Sequence, residues 1–332
     1  MQPSLTTQIC NESAPDCNLP SPCVIASARG VTKRFNGKTA LHDINLDICS
    51  GQVLAILGAN GAGKTTLINI LLGRLNVDAG EVSVFGYPAG SLPAKRRAGV
   101  LLQVAALPET LKIKEHIQLF QSYYPQPMAY QKVIEYAGLQ EMQHRYSKKL
   151  SGGEKQRLLF ALSICGNPKL LFLDEPSVGM DVEARKGLWQ AILDLKKSGT
   201  AIVLTTHYLE EADSLADDIV LLKQGEIIQR GSTSQIKASA SHTRIRFSTT
   251  TSTHYDYGTI KGVEHARVSG KFTELASSNV NQTLKELLSQ LPDIQDLTVS
   301  SVALEDAFIQ LNQGDVHSNT GTEANIEQGE SL

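Results

Sequence analysis

Gly58-Ala59-Asn60-Gly61-Ala62-Gly63-Lys64-Thr65-Thr66 decides the reading of this chain of 332 residues. The apolar run Val53-Leu54-Ala55-Ile56-Leu57 precedes it and the helix-like Leu67-Ile68-Asn69-Ile70-Leu71-Leu72 follows. A buried strand, a glycine-rich turn and a helix start form the setting of a phosphate-binding loop. Gly58, Gly61 and Gly63 let the backbone curl so that its N–H groups point inward at phosphate oxygens. The helix N-terminus adds positive dipole, Lys64 reaches the β- and γ-phosphates, and the Thr65 hydroxyl suits Mg²⁺. The stretch predicts a nucleoside triphosphate site.

Composition narrows the class. Hydrophobic content of 41%, charged content of 20% and a net charge of −3 describe an ordinary globular chain without a global pull toward nucleic acid. Lys95-Arg96-Arg97 and Lys148-Lys149 read as short solvated faces. No apolar stretch approaches the roughly 18–20 residues that span a bilayer, and the start lacks a basic-then-apolar leader pattern. A cytoplasmic protein is expected, with any membrane role supplied by a partner. Cys10, Cys17 and Cys23 lack CxxC spacing, and Cys49 and Cys165 read as packing residues.

Working outward, residues 1–22 are polar and Pro-containing and predict a disordered extension. Strands are expected at Val24–Phe35, with the turn Asn36-Gly37 after it, and at Ile44–Ile48. Gly80–Gly86 reads as an exposed strand and Ala98–Leu102 as a buried one ending at Gln103. The span from about 104 to 150 is mostly helical and inserts between strands of the main sheet. An apolar-periodic helix is expected over Gln156–Cys165. Leu170–Leu173 is a buried strand ending in Asp174-Glu175-Pro176. A helix over Val182–Lys197 stops at Ser198-Gly199, and the strand Ala201–Thr205 delivers His207 at its carboxyl end. Ile219–Leu222 and Glu226–Gln229 make a hairpin through Gln224-Gly225. Alternating strands and helices argue for a mostly parallel sheet covered on both faces. From about 238 to 312 a small α/β appendix is expected, with a strand at Thr243–Ser248 and helices at Gln282–Leu291 and Leu304–Leu311. The tail 313–332 has four acids and no Lys or Arg, and predicts disorder.

A phosphate loop alone does not separate a kinase from a GTPase or a motor. Asp174, at the end of an apolar strand, can hold Mg²⁺, and Glu175 beside it can polarise an attacking water. That pair favours hydrolysis. Between loop and strand stands Leu150-Ser151-Gly152-Gly153-Glu154-Lys155-Gln156-Arg157, which resembles the signature of the ATP-binding cassette ATPases. The family's other elements stand in their order along the chain: Gln103 at the Q-loop, Val178-Gly179-Met180-Asp181 at the D-loop and His207 at the switch-histidine position. The resemblance covers about Val24 to Thr233.

The resemblance implies an α/β P-loop cassette with a mostly parallel core sheet, an antiparallel β subdomain and an inserted helical subdomain, spanning about 23–237. It implies ATP and Mg²⁺ as cofactors. Nucleotide-binding residues are then Gly58, Asn60, Gly61, Ala62, Gly63, Lys64, Thr65 and Thr66, with Phe35 as the adenine-stacking ring, usually a tyrosine. Metal ligands are Thr65, Gln103 and Asp174. Glu175 acts as general base, His207 contacts the γ-phosphate, and Gln103 bridges metal, water and membrane partner. Ser151, Gly152, Gly153 and Asp181 face a second nucleotide-binding subunit, most simply another copy of this chain. A hydroxyl and N–H groups at a helix start can cap a γ-phosphate from the opposite side.

The stretch Thr205–Ser232 and the late Leu304-Glu305-Asp306-Ala307-Phe308-Ile309-Gln310-Leu311 resemble the drug, polysaccharide and lipid export branch. The implied protein sits on the cytoplasmic side of the membrane, bound to a separately encoded multi-helix permease that selects the substrate. The alternative is a soluble cassette ATPase acting on DNA, the ribosome or a regulator. Against it stand the absence of room for a long coiled-coil insertion and the single phosphate loop.

Overall fold

A computed structural model of the chain describes residues 24–102, 107–239, 243–249, 255–291 and 293–300. The tails expected to be disordered, the helix expected at Leu304–Leu311, Gln103 and the three tail cysteines lie outside the described residues. Two compact units divide the chain, the first ending at Thr233.

The first unit opens with an antiparallel hairpin, β1 (Val24–Phe35) and β2 (Lys38–Cys49). Asn36 and Gly37 both take positive φ, as a two-residue hairpin turn of this hand requires. The turn pairs Phe35 directly with Lys38, so β2 starts there rather than at Ile44. After β3 (Val53–Leu57) and α1 (Lys64–Leu71), β4 (Ala79–Val84) returns to the free edge of β1 and carries the two-residue β5 (Tyr87–Pro88). A short helix, α2 (Leu92–Arg97), had no clear sequence signal; Arg97 at its end lies over the rings of Phe85 and Tyr87.

From β6 (Ala98–Leu101) the chain leaves the sheet for the helical insertion. This comprises α3 (Ile113–Gln121), α4 (Tyr130–Tyr136), two single 3-10 turns and α5 (Gly152–Ile164). It returns as β7 (Leu170–Asp174), followed by α6 (Val182–Lys197), β8 (Ala201–Thr205), α7 (Leu209–Leu215), β9 (Asp218–Lys223) and β10 (Glu226–Gly231). The six-stranded sheet runs β10-β9-β3-β8-β7-β6, parallel except for β10.

Every residue of β3, β7 and β8 is buried, the pattern of a sheet covered on both faces. The period of two sorts them. Leu171, Leu173, Ile202 and Leu204 pack with α3 to α6, whereas Leu170, Phe172, Ala201 and Val203 pack with β1, β2 and α1. Two cores thus share one sheet, and the loops at its carboxyl edge are held from both sides.

The second unit begins within α8 (Thr233–Ser239) and holds an antiparallel sheet ordered β12-β13-β11-β14. These strands are β11 (Thr243–Ser248), β12 (Val263–Ser269), β13 (Phe272–Ser277) and β14 (Gln295–Ser300). One helix, α9 (Val280–Gln290), buries Leu287 against Ile245, Phe247 and Leu275. No helix among the described residues is long and apolar enough to cross a membrane.

Candidate functional site

At the carboxyl edge of the parallel sheet, Asn60, Gly61, Gly63, Lys64, Thr65, Thr66, Asp174 and Glu175 line one cleft of about 340 Å³, joined by Ala40. That edge is where open α/β sheets bind ligands. Gly63 has φ 110°, and a Cβ there would stand 2.7 Å from Leu41 Cδ2 and 2.8 Å from the Ala40 carbonyl. Only glycine fits that turn against β2. Lys64 is 9% exposed. Its ammonium donates to the Gly58 carbonyl at 2.7 Å and the Ala59 carbonyl at 3.1 Å. Burial lowers the Lys64 pKa, and the Glu175 and Asp174 charges oppose that shift.

Asp174 is buried at the end of β7, where the register sets it beside Thr205 and the Thr205 hydroxyl donates to its carboxylate. Glu175 follows at φ 52°, a conformation rare outside glycine and tolerated where surroundings over-determine it. Those surroundings are visible. The Glu175 amide donates to the Thr205 carbonyl at 3.0 Å, and its own carbonyl accepts from Gln156 Nε2 at 3.3 Å. The bent backbone turns the carboxylate toward His207, whose Nδ1 lies 3.2 Å from Glu175 Oε2.

The turn at Ser151 lies elsewhere. Ser151 caps α5, its hydroxyl accepting from the Glu154 amide at 3.3 Å while the Ser151 amide donates to Glu154 Oε2 at 2.8 Å. This reciprocal cap starts the helix at Gly152, earlier than the apolar period beginning at Gln156 indicated. The Ser151 amide, helped by Arg145, holds the Glu154 carboxyl below its ordinary range. Ser151 and Gly152 are exposed. A Cβ on Gly153 would stand 2.9 Å from the Gly179 carbonyl, so α5 and the 178–181 turn meet backbone to backbone. Asp181 caps α6 by accepting from the Ala184 amide at 2.8 Å.

The structure therefore brings the phosphate loop, Asp174, Glu175 and His207 together. Ser151, Gly152, Gly153, Asp181, Gly58, Ala62 and Phe35 do not line the cleft. Phe35 stands exposed at the hairpin turn with Lys33 Nζ 5.5 Å above its ring. Sequence reasoning missed Ala40, Gln156 and Thr205. Thr205 was accessible from the pairing of the two parallel strands, whereas Gln156 has no local mark.

A phosphate loop facing a strand-end carboxylate pair defines a nucleoside triphosphate hydrolase. The family description "ABC transporter" matches residues 41–178. The chain is 38% identical over 217 residues to the daunorubicin/doxorubicin resistance ATP-binding protein DrrA of Streptomyces peucetius, covering 63% of this chain and 66% of that protein. It is 35% identical over 214 residues to the Nod factor export ATP-binding protein I of Ralstonia nicotianae, covering 62% and 67% respectively. The match thus spans about two-thirds of these relatives' length. A solved structure described as the ATP binding subunit of an ABC transporter shares the fold, at TM-score 0.60 and 24% identity over 65% of this chain and 92% of that one. The chain belongs to the ABC transporter family as an ATP-binding cassette, the part that hydrolyses ATP.

Proposed function

We propose that this chain is the ATPase subunit of an exporter, working as a pair of identical cassettes beneath a separately encoded permease on the cytoplasmic face of a membrane. One observation carries the pairing. The cleft holds the phosphate loop, Asp174 and Glu175 but not Ser151, Gly152 or Gly153, which stand at an exposed helix start of the same chain. A second copy presenting its own Ser151 turn would close the open side of the cleft, with hydroxyl and N–H donors aimed at the γ-phosphate. Export is the direction named for the Ralstonia relative, and drug resistance for the Streptomyces one. The permease would meet the helical insertion, where Leu119 and Tyr123 are exposed.

In this reading the loop amides, Lys64 and Thr66 bind phosphate, and Phe35 stacks on the adenine. Thr65 and Asp174, with Gln103, would hold Mg²⁺. A hydroxyl and a carboxylate lining one cleft form the hard oxygen donor set such a cation takes, and the ion would neutralise phosphate charge. Glu175 accepts the proton of the attacking water, and His207, set by Glu175, contacts the γ-phosphate. ATP joins the two subunits and its hydrolysis releases them.

Glu175→Gln tests the reading, because an amide keeps the size but cannot take the proton. Turnover is expected to fall by about 10²–10⁴-fold. In gel filtration the variant should run as a dimer with ATP and a monomer with ADP, with wild type mostly monomeric in both. Wild-type turnover in the variant would reduce Glu175 to a strand cap, and a monomer with bound ATP would refute the shared site.

A further inference from the structure

A series of contacts leads from His207 away from the cleft. The His207 and Tyr208 rings lie with centroids 4.1 Å apart at 37°. The Arg185 guanidinium stands 5.1 Å from the Tyr208 ring centroid. Arg185 shares one face of α6 with Trp189, one turn further on. The Trp189 indole N–H donates to Glu211 Oε1 at 3.0 Å, and Glu211, on α7, is fully buried. Burial pushes the Glu211 carboxyl above its ordinary range, while hydrogen bonds from Thr206 and Trp189 and, more weakly, the Arg185 charge work against that shift.

The placement has a purpose that packing alone does not supply. His207 is 48% exposed in its side chain, and its Nδ1 meets Glu175 Oε2. An exposed imidazole on one contact samples several rotamers unless something lies along its face. Tyr208 occupies that face. The Tyr208 side chain makes no capping bond to α7, although the residue stands at the helix start; its amide is held instead by the Thr206 hydroxyl at 3.0 Å. Arg185 in turn belongs to the helix that Asp181 caps, so the same rigid element carries both the 178–181 turn and the support under the histidine.

We propose that Tyr208 is a positioning residue for ATP hydrolysis: held by Arg185 on the platform that Trp189 and Glu211 fix, it keeps the His207 imidazole where Nδ1 meets Glu175. The proposal rests on His207 serving the γ-phosphate, as read above. The ring, not the phenol, does the work, and ATP binding does not depend on it.

Full-length Tyr208→Leu, Tyr208→Phe and His207→Ala proteins separate the possibilities by steady-state ATPase and by the ¹³Cε1–¹H NMR signal of His207, assigned through its loss in His207→Ala. Tyr208→Leu is expected to lower kcat about three- to tenfold, the worth of one aromatic contact, with KM for ATP unchanged. Its His207 signal should move downfield as the ring current disappears. Tyr208→Phe should keep both kcat and the NMR position. Wild-type kcat in Tyr208→Leu, a rise in KM as large as the fall in kcat, an unmoved His207 signal, or a Phe variant as slow as Leu would each overturn the proposal. A His207→Ala protein with wild-type turnover would instead remove the role of the histidine, and the proposal with it. A slow His207→Ala beside an unimpaired Tyr208→Leu would sink the positioning role alone.

Discussion

The phosphate end of the cleft and the Ser151 turn differ in how their polar groups are satisfied. At the phosphate end, groups from several elements hold one another: Lys64 on the loop carbonyls, Thr205 on Asp174, Gln156 and Thr205 on the Glu175 backbone, Glu175 on His207. At the Ser151 turn the bonds are local, between residues three apart on one exposed helix start, with Arg145 from nine positions earlier added on the Glu154 carboxylate. On the proposed reading, the groups that grip phosphate are fixed by the sheet, and those offered to a second subunit stay on the surface, satisfied within their own chain.

Lys64→Ala strikes the first region and should have the largest effect. Nucleotide affinity and phosphate release should both fall by at least about 10³-fold, since the cleft loses the buried ammonium that the proposed reading sets against phosphate. Fluorescent-nucleotide titration reads the first and a phosphate assay the second; undiminished turnover would put Lys64 outside the site. Ser151→Ala strikes the second region and should divide the two measurements. A single subunit should bind ATP as before, while turnover falls about tenfold to a hundredfold. The lost cap should cost about 1 kcal/mol in the unfolding free energy. Mixing Lys64→Ala with Ser151→Ala protein should restore turnover, because one of the two shared sites in a mixed pair is intact. If the mixture stays as slow as its components, the two regions do not meet across subunits.

The same contrast governs what could be read from the sequence. The parallel strands and the loop between β3 and α1 were legible because five-residue apolar runs and a nine-residue motif are local patterns. The start of α5 was placed late, because the apolar period begins at Gln156 while the cap that nucleates the helix lies at Ser151 and Glu154. The strands β12 and β14 went unread since most of their residues are exposed and carry no buried alternation. β13 does alternate, but two of its three buried residues, Thr273 and Ser277, are polar and hide the pattern in the sequence. Gln156, which steadies Glu175 from nineteen positions away, owes its role to tertiary approach alone. Asp181 was read only as part of the D-loop, and its cap on α6 became visible in three dimensions.

A smaller effect sharpens the comparison from the acid side. Glu154 has its folded pKa below the ordinary 4.5, so its contribution is full above that value and is lost as pH falls through the lowered one. Thermal melts from about pH 5 to about pH 3 should show wild type losing more stability than Glu154→Gln, by on the order of 1–2 °C given how exposed the pair is. The nucleotide affinity of the cleft should not follow that difference. Equal losses in both proteins would mean that the cap adds nothing at the helix start.

The neighbours of β3 also set an order of events in synthesis. The strand that carries the phosphate loop lies between β8 and β9, whose residues run from Ala201 to Lys223, and the Ala62 carbonyl is held by the Gly225 amide at 3.0 Å. A ribosome that has released the loop has not yet made the strands that fix it. Contacts of such sequence separation form late and slowly. The cleft is therefore assembled only once nearly the whole first unit has left the exit tunnel, since its loop and its carboxylates are fixed by strands made last.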